Sequence, residues 1–276
     1  MKPHNLDAYK DRYDHVSFER DDAGILLVTI HDGDDPSKPL RYHAREMGWR
    51  HPHVELSHCF YDIARDYQNE IVILTGAGGS FIGQEGGGFV PNAETVGKDG
   101  PTHPDRWDWI MSDGIWLQLN LLNIEVPVIA AVAGEAVIHA ELALQSDIVL
   151  ASDDAIFQDL PHFEAGTYVP GDGVATYWPE ILGQTRGSYF LLTGQKLNAE
   201  QALSLGVVNE VMKQERLIPR ARELALEMLR RPKLVRRYAR AMITHAVKQR
   251  MLGHLGHGLA LEGLAAAGRH VREGSK

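Results

Sequence analysis

The sequence predicts an α/β fold with a helical C-terminal region, and three observations carry that prediction. Short β-branched apolar runs recur through the first half of the chain, apolar residues at helical spacing fill the interval between the first two, and beyond Asn198 the pattern becomes predominantly helical.

The first run, Gly24-Ile-Leu-Leu-Val-Thr-Ile30, reads as a buried strand closed by a glycine at one end and by Asp32, Asp34 and Asp35 at the other. Val54, Phe60, Ile63 and Ala64 then fall on one side of a helix over 54–65, and Ile71-Val-Ile-Leu-Thr75 is a second strand. From 81 to 107 glycine and proline, including Gly86-Gly87-Gly88, break any period. A loop of that length in a compact domain is usually functional or mobile, and residues 83–105 are expected to shape the substrate pocket. A helix over 109–122 follows. Strands are predicted over 126–132, interrupted by Pro127, and over 147–151, with stretches able to form helices between them. Asn198 is placed to cap a helix that starts at Ala199, and the helical pattern runs to Ala267, broken at Pro219 and Pro232. The chain thus divides into a core over 1–197 and a helical region over 198–276, suited to pack on the core or on a neighbouring subunit.

With 276 residues, 44% hydrophobic and 24% charged, the chain can bury one large core with an appended element. A formal net charge of −9 removes the attraction that drives nucleic-acid binding and makes anionic membranes poor partners. The basic run Arg230, Arg231, Lys233, Arg236, Arg237 and Arg240 lies in a helical stretch and reads as a solvated face. The single cysteine, Cys59, beside Phe60, reads as a buried small hydrophobe and fits a reducing compartment. Residues 1–13 carry charges throughout with no apolar segment, so neither a secretory signal nor a membrane span is expected there, and the protein is expected in the cytoplasm. Neither His51-Pro-His53 nor the pair His254 and His257 offers a clear ligand set, and no His-Glu-x-x-His occurs, so no metal is expected.

An ordered set of segments carries further information: Ile71-Val-Ile-Leu-Thr-Gly-Ala-Gly-Gly-Ser-Phe81, Ile129-Ala-Ala-Val-Ala-Gly134, Glu141-Leu-Ala, Ser146-Asp-Ile-Val149, Pro170-Gly-Asp-Gly173, Leu192-Thr-Gly194 and Gly206-Val-Val-Asn-Glu-Val211. Over most of residues 16–212 this set resembles the crotonase (enoyl-CoA hydratase) family. The resemblance implies a spiral of ββα units with a C-terminal helical region, assembled as a homotrimer or a dimer of trimers. Hydratases of the family hold a thioester oxygen on two backbone N–H groups, one after the Phe and one in a glycine run before the first catalytic glutamate. Here those segments read Phe81-Ile-Gly-Gln-Glu85 and Val137-Ile-His-Ala-Glu141, so the glycine run is gone. The second hydratase glutamate is replaced by His162.

These departures are similar to one subgroup, 6-oxocamphor hydrolase and related β-diketone hydrolases, which also resembles the chain in Phe157-Gln-Asp, Pro161-His-Phe163, Val169-Pro-Gly-Asp-Gly173 and Tyr189-Phe-Leu-Leu-Thr-Gly-Gln195. The resemblance implies cofactor-independent hydrolysis of a carbon–carbon bond in a small cyclic diketone, giving a keto acid. It brings His139 and Glu262 to the reaction and sets Trp49, Glu141 and Phe81 against the substrate. The chemistry asks for such groups. A carbanion leaves only if a second carbonyl β to the first takes its electrons as an enolate, which defines the substrate class. Water needs a base poised near neutral pH, and histidine, with an ordinary pKa of about 6.5, supplies it at His162. A carboxylate on the far ring nitrogen, for which Asp172 is the candidate, would fix the tautomer and stabilise the imidazolium. His139 is the candidate donor to the oxyanion, and protonated Glu262 a second donor or the proton source for carbon.

Plainer readings stand beside these. Asp172 between glycines also suits a simple turn, Glu141 serves equally well as a buried or capping carboxylate, and a lone histidine among 14 is usually structural. Two other functions fit the family: action on an acyl-CoA thioester as hydratase, isomerase or thioesterase, and a catalytically silent member kept for assembly or RNA binding.

Overall fold

The β-branched runs lie side by side in a parallel sheet buried on both faces, which is why they read as continuous apolar stretches. The computed structural model describes residues 4–41, 51–83, 104–164 and 168–273. β1 (Val16–Arg20) pairs antiparallel with β2 (Ile25–Ile30), placing Val16 opposite Ile30. β3 (Ile71–Gly76) runs parallel to β2, with Ile25 opposite Ile71, and β4 (Val128–Val132) pairs with β3. β5 (Glu135–Ala136) leaves this sheet, β6 (Ile148–Ser152) returns to it beside β4, and β9 (Glu210–Met212) forms its far edge. A smaller sheet joins β5 to β7 (Ile156–Phe157) and β7 to β8 (Leu197–Asn198). β1 has one buried residue, Val16, and so too weak an apolar pattern to be predicted.

Alternation within the strands divides the interior into two layers. Leu26, Val28, Val72, Leu74, Val128 and Val132 face one cluster; Ile25, Ile71, Ile73, Ile129 and Leu150 face the other, against Leu217, Ala221 and Ala225 of the helix over 217–229.

The helices start earlier than apolar spacing alone suggests. α1 spans Pro52–Arg65 because the His51 ring accepts the His53 N–H at 3.3 Å as a cap and Pro52 sits at the first helical position. α2 spans Pro104–Leu122. Between β4 and β6 the predicted helix is only the single turn α3 (Glu141–Leu144), whereas α4 (Val174–Leu182) and α5 (Gln184–Thr193) have no counterpart in the sequence reading. α6 (Ala199–Ser204) is capped by Asn198 as expected, in a reciprocal arrangement with Gln201. Pro219 lies in the first turn of α7 (Leu217–Leu229), where a missing N–H breaks no bond, so the chain breaks only at 230–232, before α8 (Lys233–Glu273).

The basic run is not a uniformly solvated face. Arg236 and Arg240 are buried: Arg236 pairs with Glu70, and Arg240 donates to Asp147 at 2.7 Å and to the Ile124 carbonyl, tying α8 to the core. Cys59 is buried, as expected. Among the described residues no helix is long and apolar enough to cross a membrane.

Candidate active site

Helices α1, α3 and α8, the loop before α3 and the segment between β7 and α4 bring three histidines and four carboxylates together. His139 lies between β5 and α3 with φ of 50°, a left-handed conformation that favours glycine, and it fills the place where the glycine run would lie. Holding a side chain there costs roughly 1–3 kcal/mol, which suggests that this imidazole is needed where it points. Its Nδ1 lies 2.7 Å from Oε1 of Glu141, the first residue of α3. Glu141 is fully buried and also accepts from Gln118 of α2 at 2.8 Å, while Gln118 accepts from Gln145. Burial alone would raise the Glu141 pKa, but the His139 charge and the hydrogen bonds to it hold it below the ordinary value. Burial depresses His139 in turn, and Glu141 and Asp172 more than reverse this.

His162 sits in a tight turn over Leu160–Glu164, after β7, with backbone angles outside the helical range. Its Nδ1 is 2.6 Å from Asp159 Oδ1. Its Nε2 faces Asp172 Oδ1 at 3.6 Å and Glu262 Oε1 at 3.7 Å. Those two distances exceed hydrogen bonds. The carboxylate hydrogen-bonded to His162 is therefore Asp159, and the expected His162–Asp172 bond is a proximity on the opposite ring nitrogen. Burial lowers the His162 pKa, yet the three carboxylates, Asp159 first, carry it well above the ordinary value.

Asp172 lies in the turn before α4, also 3.5 Å from His139 Nδ1, and so stands between the two imidazoles. Its Oδ1 is buried with no hydrogen-bond partner, as are Glu141 Oε2 and Glu262 Oε2. Burial first, then the neighbouring carboxylates Glu141 and Asp159, raises the Asp172 pKa; burial and the Asp172 charge push Glu262 up to about 8, so it keeps its proton at neutral pH.

Backbone contact without side chains brings Asp172 and Glu262 together. A Cβ on Gly171 would meet the Gly258 carbonyl at 2.4 Å, and a Cβ on Gly258 would meet the Gly171 carbonyl at 2.2 Å. Only glycine at both positions lets α8 lie on the Asp172 turn. Trp107 of α2 donates its indole N–H to the Leu259 carbonyl at 2.9 Å and stacks on Tyr168, fixing the same stretch of α8.

The expected residues His139, His162, Asp172, Glu262 and Glu141 thus converge. Phe81 packs fully buried in the main core, and Trp49 and most of the 83–105 loop lie outside the described residues. Sequence reasoning missed two groups. Asp159 had a usable signal, a carboxylate three residues before a histidine across a turn. His53, in a His51-Pro-His53 pair with no clear metal-ligand set, is buried on α1, its ring 5.3 Å from that of His139, and burial followed by the charge of His139 depresses its pKa well below the ordinary value. A surface cavity of about 880 Å³, lined by residues such as Gln184, Tyr189 and Gln201, contains none of this cluster.

Among solved structures, the chain matches a β-diketone hydrolase from the cyanobacterium Anabaena sp. PCC 7120, bound to (S)-3-oxocyclohexyl acetic acid, with a TM-score of 0.85 and 40% identity over 95% of this chain and 98% of that one. An enoyl-CoA hydratase/isomerase from Mycobacterium paratuberculosis, 22% identical over 93% of this chain and 95% of that one with a TM-score of 0.78, shares the fold. By sequence, a carnitinyl-CoA dehydratase of Shigella flexneri is 34% identical over 176 residues, so the match spans 63% of each chain. The family model for enoyl-CoA hydratase/isomerase matches residues 52–274, and the chain belongs to that family.

Proposed function

We propose that this protein hydrolyses a carbon–carbon bond of a cyclic β-diketone to a keto acid, with His162 as the base that activates water. One observation carries the reading: His162 divides its nitrogens, Nδ1 bonded to Asp159 at 2.6 Å and Nε2 facing Asp172 and Glu262 at 3.6 and 3.7 Å. Asp159 fixes the ring and stabilises the imidazolium, the role the sequence reading gave to Asp172. A water at Nε2 gives up a proton as its oxygen attacks one carbonyl carbon, and Asp172 orients it. His139, its ring set by Glu141, donates to the oxyanion. The carbon–carbon bond breaks with its electrons passing into the enolate of the second carbonyl, and Glu262 protonates that carbon. The 3.7 Å separation of His162 and Glu262 returns the first proton to the second group, so one water is consumed and no cofactor is needed. The Anabaena relative, bound to a keto acid of the kind this reaction yields, supports the reading.

The second reading, action on an acyl-CoA thioester, is favoured by the dehydratase relatives and by Glu141 at the first hydratase position. The N–H groups of Ile82, Val137 and Ile138 are engaged by backbone carbonyls, which counts against a hydratase-type oxygen site there. A panel of cyclic 1,3-diketones and CoA thioesters, followed by mass spectrometry, separates the two. Diketones that gain one water support the hydrolase; thioester turnover with unchanged diketones sinks it.

A further inference from the structure

The contacts at His139 contain a mismatch. Glu141 Oε1 and Asp172 Oδ2 approach the same ring nitrogen, Nδ1, at 2.7 and 3.5 Å. A single N–H bonds well to one oxygen, and here it serves Glu141. Asp172, itself 6% exposed, keeps Oδ1 buried and unpartnered. A buried carboxylate oxygen without a donor calls for something beyond the side chains already present.

A metal ion answers the first of these, because an ion can take one ligand atom from each group at once; at Asp172 that atom is Oδ2, the oxygen nearer His139. One ring nitrogen of His139 and one oxygen each from Glu141 and Asp172 all lie within 4.8 Å of one another. Around a tetrahedral zinc ion, bond lengths of about 2.0–2.2 Å place neighbouring ligand atoms roughly 3.4 Å apart. The Asp172–His139 distance already has that value, and the Glu141–His139 pair must open by several tenths of an ångström. One imidazole with two carboxylates is a donor set that divalent zinc and its neighbours accept.

We propose that His139, Glu141 and Asp172 form a binding site for one divalent transition-metal ion, with zinc as the probe, and that the ion enters by displacing the proton from His139 Nδ1. Binding rests on this geometry alone. Its consequence, inhibition by removing the oxyanion donor and clamping Asp172, rests on the hydrolase reading, so binding and inhibition are measured separately.

The direct test is calorimetric titration of the full chain with zinc chloride in two buffers of different ionisation enthalpy. The expected result is one strong site that releases about one proton and is weakened at least tenfold, by about 1.4 kcal/mol, in Glu141→Gln and Asp172→Asn. Because either variant can fail to fold, wild-type crystals soaked in zinc and measured across its absorption edge give an independent answer, with anomalous density expected between the three side chains. Zinc found only at exposed histidines, or wild-type affinity retained in both folded variants, overturns the site. If zinc binds there and diketone hydrolysis continues unchanged, the site stands and the role of His139 in the hydrolase reading falls.

Discussion

Helix α8 carries charge into the interior twice, and the two places are built differently. Near its start Arg236 and Arg240 reach Glu70, Asp147 and backbone carbonyls in close contacts, and Asp147 also accepts the Val128 N–H at 2.7 Å. Near its end Glu262 lies 3.7 Å from His162 Nε2, which lies 3.6 Å from Asp172, both too long for hydrogen bonds; buried polar atoms without partners occur at both places, Arg236 Nε and Arg240 Nη2 at the first, Asp172 Oδ1 and Glu262 Oε2 at the second. In the first region each charge has its counter-charge against it, as buried ions require. The second brings His162 Nε2 to van der Waals distance of two carboxylates without bonding either, and six of its groups have displaced pKa values. Buried charge in contact is holding the fold; buried charge held apart is waiting for a ligand.

Substitutions should separate the two sharply. His162→Ala is expected to lower kcat for a cyclic 1,3-diketone by about 10²–10⁴-fold with little change in Tm. Arg240→Ala should do the reverse, costing roughly 3–5 kcal/mol of stability by stranding Asp147 while the folded fraction keeps its kcat. Paired denaturation and steady-state kinetics check both, and a large kcat loss in folded Arg240→Ala would erase the distinction. Within the second region, Asp159→Asn should cut kcat by about 10²-fold or more, since it permits the wrong His162 tautomer. Normal turnover in that variant would return the orienting role to Asp172.

The pH dependence sharpens the comparison further. His162 is a base only when neutral, and its pKa is raised, so kcat/KM should climb with pH through a value above the ordinary 6.5. Glu262 must hold its proton, so the rate should fall again around its pKa of about 8; Glu262→Gln, with no acidic proton to give carbon, should lose most of the rate and show no such fall in the activity that is left. These limbs belong to the coupled group rather than to single residues.

The smallest effect is on stability. Glu262 binds its proton more tightly when folded, about 8 against 4.5, so the folded state loses stability as pH rises from 4.5 towards 8. Glu262→Gln should therefore raise Tm by roughly 5 °C at pH 8 and leave it unchanged near pH 4. A Tm gain equal at both pH values would deny that Glu262 is protonated in the fold.

How much of this was legible in the chain depends on the kind of signal. Ile25–Ile30, Ile71–Gly76 and Val128–Val132 were readable because a strand buried on both faces leaves a continuous apolar run. α4 and α5 were not, since the turn residues of 170–173 and the interior Pro179 obscure a helical period. Among the site residues, His139 and His162 were visible only where the chain departs from the hydratase pattern. Asp159 lies in Phe157-Gln-Asp, a segment shared with the β-diketone hydrolase subgroup, but separation along the chain does not tell which ring nitrogen a carboxylate reaches. Burial of Arg240 depends on Asp147, 93 positions away, and no local pattern encodes that.

The most direct test is a turnover of a cyclic 1,3-diketone in ¹⁸O-labelled water by the wild-type protein and by His162→Ala. The account predicts one ¹⁸O in the new carboxyl group of the wild-type product and a rate lower by orders of magnitude in the variant. Intact diketone with the wild type, or equal labelling rates in the two proteins, would contradict it.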